Sequence, residues 1–184
     1  VSAQPDKEVT TFIGRAHRDH LEPFFSIFRE RLQKPCFDPA DFERNKNQLL
    51  NFLTKSLRSA NDEELGKQSL EWMMYEGHPY RHPVQGTVQG VESLTLDDVK
   101  TFYRERYTFG NLQIGLAGNF PEGFRERVRE DFKKGLPSGA TKAAELPNVA
   151  RDKGLDVTIV ERDGADSTAI SLGFPIDLTR ADDD

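Results

Sequence analysis

The chain has 184 residues, 36% of them hydrophobic and 10% aromatic, enough to bury a core in one or two domains. Asp and Glu number 31 against 25 Lys and Arg, and a net charge of -6 without a basic stripe argues against nucleic acid as a partner. No apolar run approaches the roughly 18 residues of a membrane span, so no membrane partner is expected. The opening VSAQPDKEV lacks a signal-peptide layout, and the one cysteine, Cys36, cannot form an internal disulfide. Periplasm and cytoplasm both stay open.

EVTTFIG, residues 8–14, is β-branched and closed by Gly14, which predicts a strand with Val9, Thr11 and Ile13 on one face. Asp19 with Glu22 reads as a capping box for a helix whose Leu21, Phe24, Phe25, Phe28 and Leu32 share a face until Pro35. Asp38, Pro39 and Asp41 start a second helix with a stripe of Phe42, Leu49, Leu50, Leu53 and Leu57, and Phe52 lies off its centre. Asn61 and Glu64 open a third helix through Leu65, Leu70, Met73 and Met74, stopped by Gly77 and Pro79. Residues 78–92 are rich in Pro and Gly and predict a structured loop.

Thr95 and Asp98 cap a further helix carrying Val99, Phe102 and Tyr103. NLQIGLAGN, residues 111–119, alternates Leu112, Ile114 and Leu116 with small or polar residues, as a half-buried strand does. Asn119 and Glu122 then box a helix with Phe124, Val128 and Phe132 on one face and Gly135 as its stop. Residues 136–154 lack periodicity and predict a linker between a first domain, 1–135, and a hairpin at 155–184. In that hairpin LDVTIVER presents Leu155, Val157 and Ile159 on one side, DGAD turns, and STAISLGF returns before three terminal aspartates. Two strands are marginal alone, so the hairpin either opens a second, truncated domain or docks on the first.

Local motifs for catalysis are weak. His17 and His20 lie three apart at a helix start, one residue short of H-x-x-E-H or H-E-x-x-H, which fits helix-start polar residues better than zinc ligands. Pro79 and Pro83 bar His78 and His82 from one helical face, so these read as structural loop histidines. Cys36 follows a helix C-terminus, where the partial negative charge disfavours a thiolate. No G-x-S-x-G elbow or phosphate loop occurs, Gly86 and Gly90 read as turns, and Trp72, Met73 and Met74 read as core.

HPYRHPVQGTVQGVESLTLDDVKTFYRERYTFGNLQIGLAGNF, residues 78–120, carries in order an H-P-Y-x-x-P-V-x-G-T block, an S-L-T-x-x-D-[LV] helix start, an F-Y-x-x-x-Y helix and an N-[LM]-x-[IV]-x-[LV]-x-G-[ND] strand. This combination resembles the pitrilysin/insulinase family of zinc metallopeptidases, to which mitochondrial processing peptidase belongs. PCFDPADFERNK, NDEEL and the last hairpin extend the likeness over most of the chain. The resemblance implies an α+β fold: a mixed, largely antiparallel sheet with helices packed on one face, built in tandem units of which this chain holds most of the first.

The resemblance also bears on FERNKNQLLNFL, residues 42–53, which has no acidic residue after Glu43 until Asp62. Family peptidases take zinc from two histidines of H-x-x-E-H and from a glutamate on a later helix written like E-R-x-K-x-x-x-L-x-E. That pattern puts Phe52 at the zinc-ligand position and Asn45 at the supporting one, and neither can serve as a zinc ligand. The depletion is chance on a partly buried helix, or it marks a non-catalytic copy of the fold in which Phe52 fills the vacated space. The leading expectation is a non-catalytic domain with no zinc of its own. It would form part of a peptide-enclosing chamber or pair with a catalytic, zinc-bearing half, and no substrate-binding residue is assigned. The alternatives are a fragment of an active zinc endopeptidase whose H-x-x-E-H lies upstream, and a stand-alone peptide-binding or assembly module.

Overall fold

The computed structural model describes residues 1–58, 61–140, 146–149, 154–165 and 167–176. Parts of the expected linker (141–145 and 150–153) and the three terminal aspartates lie outside those residues. The chain divides into two compact units, Val1–Arg44 with Leu94–Ala144 and Asn45–Ser93 with Glu145–Asp184.

In the first unit β1 (Ser2–Pro5) and β2 (Thr10–Ile13) form an antiparallel ladder with Ser2 opposite Ile13 and Pro5 opposite Thr10. Phe12, from the face opposite Val9, Thr11 and Ile13, packs on the core, while Val9 and Ile13 are exposed. Helices α1 (Leu21–Gln33), α5 (Leu96–Arg106) and α6 (Phe124–Gly135) complete this unit, and α2 (Pro39–Asn51) begins in it. Phe25 and Leu32 of α1 meet Phe124, Val128 and Phe132 of α6, with Phe132 only 1% exposed. The rings of Phe25 and Phe124 meet edge to face at 5.4 Å, a preferred aromatic geometry.

The expected box of Asp19 and Glu22 does not form. A 3-10 turn over Arg18–His20 precedes α1, whose N-cap is His20 with no side-chain bond, and Glu22 is engaged by Arg127 instead. The box of Asn119 and Glu122 is also absent, because Gly123, at φ 76, makes a left-handed turn from which α6 starts. Asp38 and Thr95 cap as expected. The Asp38 carboxylate accepts from the amides of Ala40 and Asp41, and Thr95 with Asp98 forms a reciprocal box.

Residues 136–140 are fixed to the first unit. Leu136 is buried, the Phe109 amide donates to the Pro137 carbonyl, and the Gly110 amide and Thr108 hydroxyl both donate to the Gly139 carbonyl. A side chain at Gly110 would collide with that carbonyl, so only glycine permits the approach. Residues 112–118 join no ladder among the described residues; Leu112 is half-buried, while Ile114 and Leu116 are exposed. A strand needs a neighbour for its backbone N–H and C=O groups, and alternation alone does not supply one.

The second unit contains the end of α2, which passes into a π turn over Phe52–Leu57, then α3 (Asp62–Met74) and α4 (Val88–Ser93). Asn61 caps α3 by accepting from the Glu64 amide. The expected loop at 78–92 holds more order than a loop: a 3-10 turn at Pro79–Arg81 and then α4, whose Val91 is buried and whose start is tied by the Gly90 amide to the Thr87 hydroxyl. Leu53, Leu57 and Val91 form this unit's core, with Leu49, Leu50, Phe52, Leu65 and Val88 packed against it. Among the described residues no helix is long and apolar enough to cross a membrane.

The two arms of the expected hairpin turn around Gly164 but form no ladder among the described residues. They lie along α3 instead: Arg162 grips Asp62 with two bonds of 3.0 Å, Ser171 approaches Gly66, and Gly173 lies against Leu70 and Met74. Leu155, Val157, Ile159, Ile170, Leu172 and Phe174 are 70–86% exposed.

Candidate functional site

The part of α2 beyond Glu43, which has no carboxylate, places its polar side outward and its leucines inward. Asn45 is exposed and Phe52 is half-buried against Leu53, Leu57 and Val91. The π turn that begins at Phe52 forms backbone bonds one residue longer than those of an α-helix, a local widening of the kind that often accompanies a functional position. Lys46 leaves the exposed side to donate to the Glu92 carbonyl at 2.8 Å, and the Thr54 hydroxyl donates to the Leu50 carbonyl at 2.7 Å.

Zinc requires sulfur, imidazole or carboxylate donors. The ring of Phe52 offers no lone pair, and Asn45 contributes a neutral amide, so these two residues do not fit the metal. Among the described residues no group of three or more His, Cys, Asp or Glu gathers. His17 and His20 stand with ring centroids 6.4 Å apart, and His17 Nδ1 accepts weakly from the Asp19 amide at 3.4 Å. His78 is 6% exposed: its Nδ1 accepts from the Tyr80 amide, and its ring lies against Tyr75 and Tyr80. The structure thus brings His78 into a structural role and leaves His82 exposed. Cys36 is exposed and free.

Two charged arrangements escaped the sequence. In the first unit Arg127 donates to both oxygens of Glu22 at 2.8 Å while lying over the rings of Phe25 and Phe124, and Arg29 donates to Asp131 at 2.7 Å. The Arg127 hydrogen bonds hold the Glu22 carboxyl below its ordinary range. These charges satisfy one another and form a structural clasp. In the second unit Trp72, expected in the core, is 42% exposed, and Arg81 lies over its indole with the guanidinium carbon 3.8 Å from the ring centroid. Trp72 and Arg81 border a cleft of about 360 Å³ with Met73, Glu76, Asp156, Val157 and Thr158. The eight residues between Trp72 and Arg81 include the turn at Gly77, and no periodic pattern signals the pairing.

The family profile described as peptidase M16 inactive domain matches residues 93–184. A crystal structure of a peptidase M16 inactive domain from Pseudomonas fluorescens superposes with a TM-score of 0.66 at 29% identity, over 73% of this chain and 32% of that one. An uncharacterized zinc protease of Mycobacterium tuberculosis is 33% identical over 103 residues, 55% of this chain and 23% of its own length. An uncharacterized zinc protease of Bacillus subtilis is 21% identical over 174 residues, 95% of this chain and 41% of its own. The beta subunit of the mitochondrial processing peptidase of Dictyostelium discoideum is 23% identical over 153 residues, 83% of this chain and 32% of its own. The chain therefore spans well under half the length of these relatives.

Proposed function

We propose that this chain, which belongs to the peptidase M16 inactive-domain family, lines a peptide-enclosing chamber and pairs with a catalytic, zinc-bearing half, on a separate subunit or on one longer polypeptide. The observation that supports this reading is Phe52, half-buried in an apolar cluster at the place where the family pattern expects a metal-binding glutamate. A carboxylate stripped of its metal and held against Leu53, Leu57 and Val91 is costly, so an aromatic ring there is a physically stable end state for a copy that does no chemistry. Asn45, one face earlier on the same helix, then has no metal-supporting duty and is free to face solvent. Zinc belongs to the partner half, and no step of hydrolysis is assigned to this chain.

The same reading covers the exposed segments. In the family's tandem pattern, residues 155–184 open a second repeat after the 136–154 connection, with residues 1–135 as most of the first repeat. Further strands from a longer polypeptide complete the mixed, largely antiparallel sheet, covering Ile114 and Leu116 and the apolar arms. The 23–41% share of the relatives' length spanned by this chain supports it.

A second reading is favoured by the zinc-protease names of the relatives: a piece of an active endopeptidase with H-x-x-E-H upstream on the same polypeptide. Co-expression with a family member that carries an intact H-x-x-E-H separates these readings from a stand-alone module. A stoichiometric complex that cleaves peptides is the expected result. A chain that never co-purifies with such a member, under conditions where both are folded, would contradict the pairing.

A further inference from the structure

We propose that Arg81, stacked on Trp72, is a recognition point for the carboxylate of a peptide seated in the cleft between α3 and residues 156–158. From the chamber reading it takes only the premise that peptides are presented to this chain. A guanidinium carries five N–H donors in a planar fork matched to carboxylate. Arg81 uses none of them in a hydrogen bond to the described residues. Glu76 Oε1 is 3.9 Å from Nη1, beyond hydrogen-bond reach, and Nε is buried without an acceptor among the described residues. An unmade bond on a buried donor is costly and calls for an explanation.

Contact with the indole restrains the guanidinium before any ligand arrives, so less side-chain freedom is lost on binding. Glu76 and Asp156 also line the cleft and oppose an anion, but both carboxylates are exposed to screening water, whereas the Arg81 side chain is only 28% exposed. Met73 and Val157 add apolar wall, and about 360 Å³ suits one apolar residue bearing a carboxylate. The carboxylate has two possible sources, a chain end or an acidic side chain.

Trp72 is the chain's single tryptophan, so its fluorescence reports on the cleft directly. The probes are N-acetyl-Gly-Gly-Leu as the free acid, the same peptide as the C-terminal amide, and N-acetyl-Gly-Glu-Leu amide. The free acid is expected to produce a saturable change at least about tenfold tighter than the carboxylate-free amide, the scale of one charge-assisted fork. The glutamyl amide then identifies the source: binding like the free acid extends recognition to side chains, and binding like the plain amide confines it to chain ends. Arg81→Lys keeps the charge but loses the fork, and should reduce the free acid to the level of the amide with an unchanged circular dichroism spectrum. Equal affinity for free acid and amide on the unaltered chain, or no saturable response, overturns the assignment whatever the variant does. No partner or zinc enters this experiment, so its failure leaves the pairing with a catalytic half standing.

Discussion

Phe52 is where one side chain carries the most meaning. It is half-buried against Leu53, Leu57 and Val91, where a carboxylate would be partly desolvated, so Phe52→Glu should destabilise the chain by about 2–4 kcal/mol in denaturant unfolding. A change within about 0.5 kcal/mol is what a surface position gives, and would remove the packing argument. A metal-ligand correspondence for this position was suggested only by the family pattern, since periodicity placed Phe52 merely off the centre of a stripe.

Arg127 and Arg162 were illegible for a different reason: their carboxylate partners lie 105 and 100 residues away. Asp62 is held below its ordinary 3.8, first by the hydrogen bonds of Arg162, and Glu22 below 4.5, first by those of Arg127. A carboxylate with a depressed folded-state value stabilises the fold above its ordinary value, and that stability is lost as pH falls through the lower, folded value. Unfolding followed from pH 6 downward should therefore show an acid loss below about 4, and Asp62→Asn should flatten part of it. An identical acid limb in the variant would show that the pair contributes nothing to the pH dependence.

Among the elements, most helices were legible, and of the strands only β2, inside the expected 8–14, was. Thr95 and Asp98, Asp38, and Asn61 cap where the letters say, because an N-cap bond depends on residues two or three positions away. Asp19 with Glu22 and Asn119 with Glu122 spell the same motif, yet Arg127 takes Glu22 and the left-handed Gly123 starts the later helix. Thr95→Ala should thus cost about 1 kcal/mol, whereas Asn119→Ala should stay within about 0.5 kcal/mol, both by thermal or denaturant unfolding. Comparable losses at the two sites would mean that the Asn119 box forms after all. Residues 112–118 and the two arms of 155–176 have the composition of strands, but a ladder is a property of pairs of segments, and their pairing cannot be read from either segment alone. The widening of α2 into a π turn carried no sequence signal, since FLTKSL continues the helical stripe through Leu53 and Leu57.

For the molecule as a whole, composition argued against nucleic acid and membrane as partners and the block at 78–120 pointed to the family, while neither revealed that the chain would divide into two interleaved units. The stack of Trp72 and Arg81 was likewise hidden, since an aromatic at a helix end reads as core until the returning chain is seen to leave it open. The central claim is that a peptidase scaffold persists here without the donors that would hold its metal. Elemental analysis of the purified chain, after incubation with excess zinc and desalting, tests this most directly. The account predicts far less than one equivalent of zinc per chain. One retained equivalent, lost when residues of α2 are substituted, would contradict it.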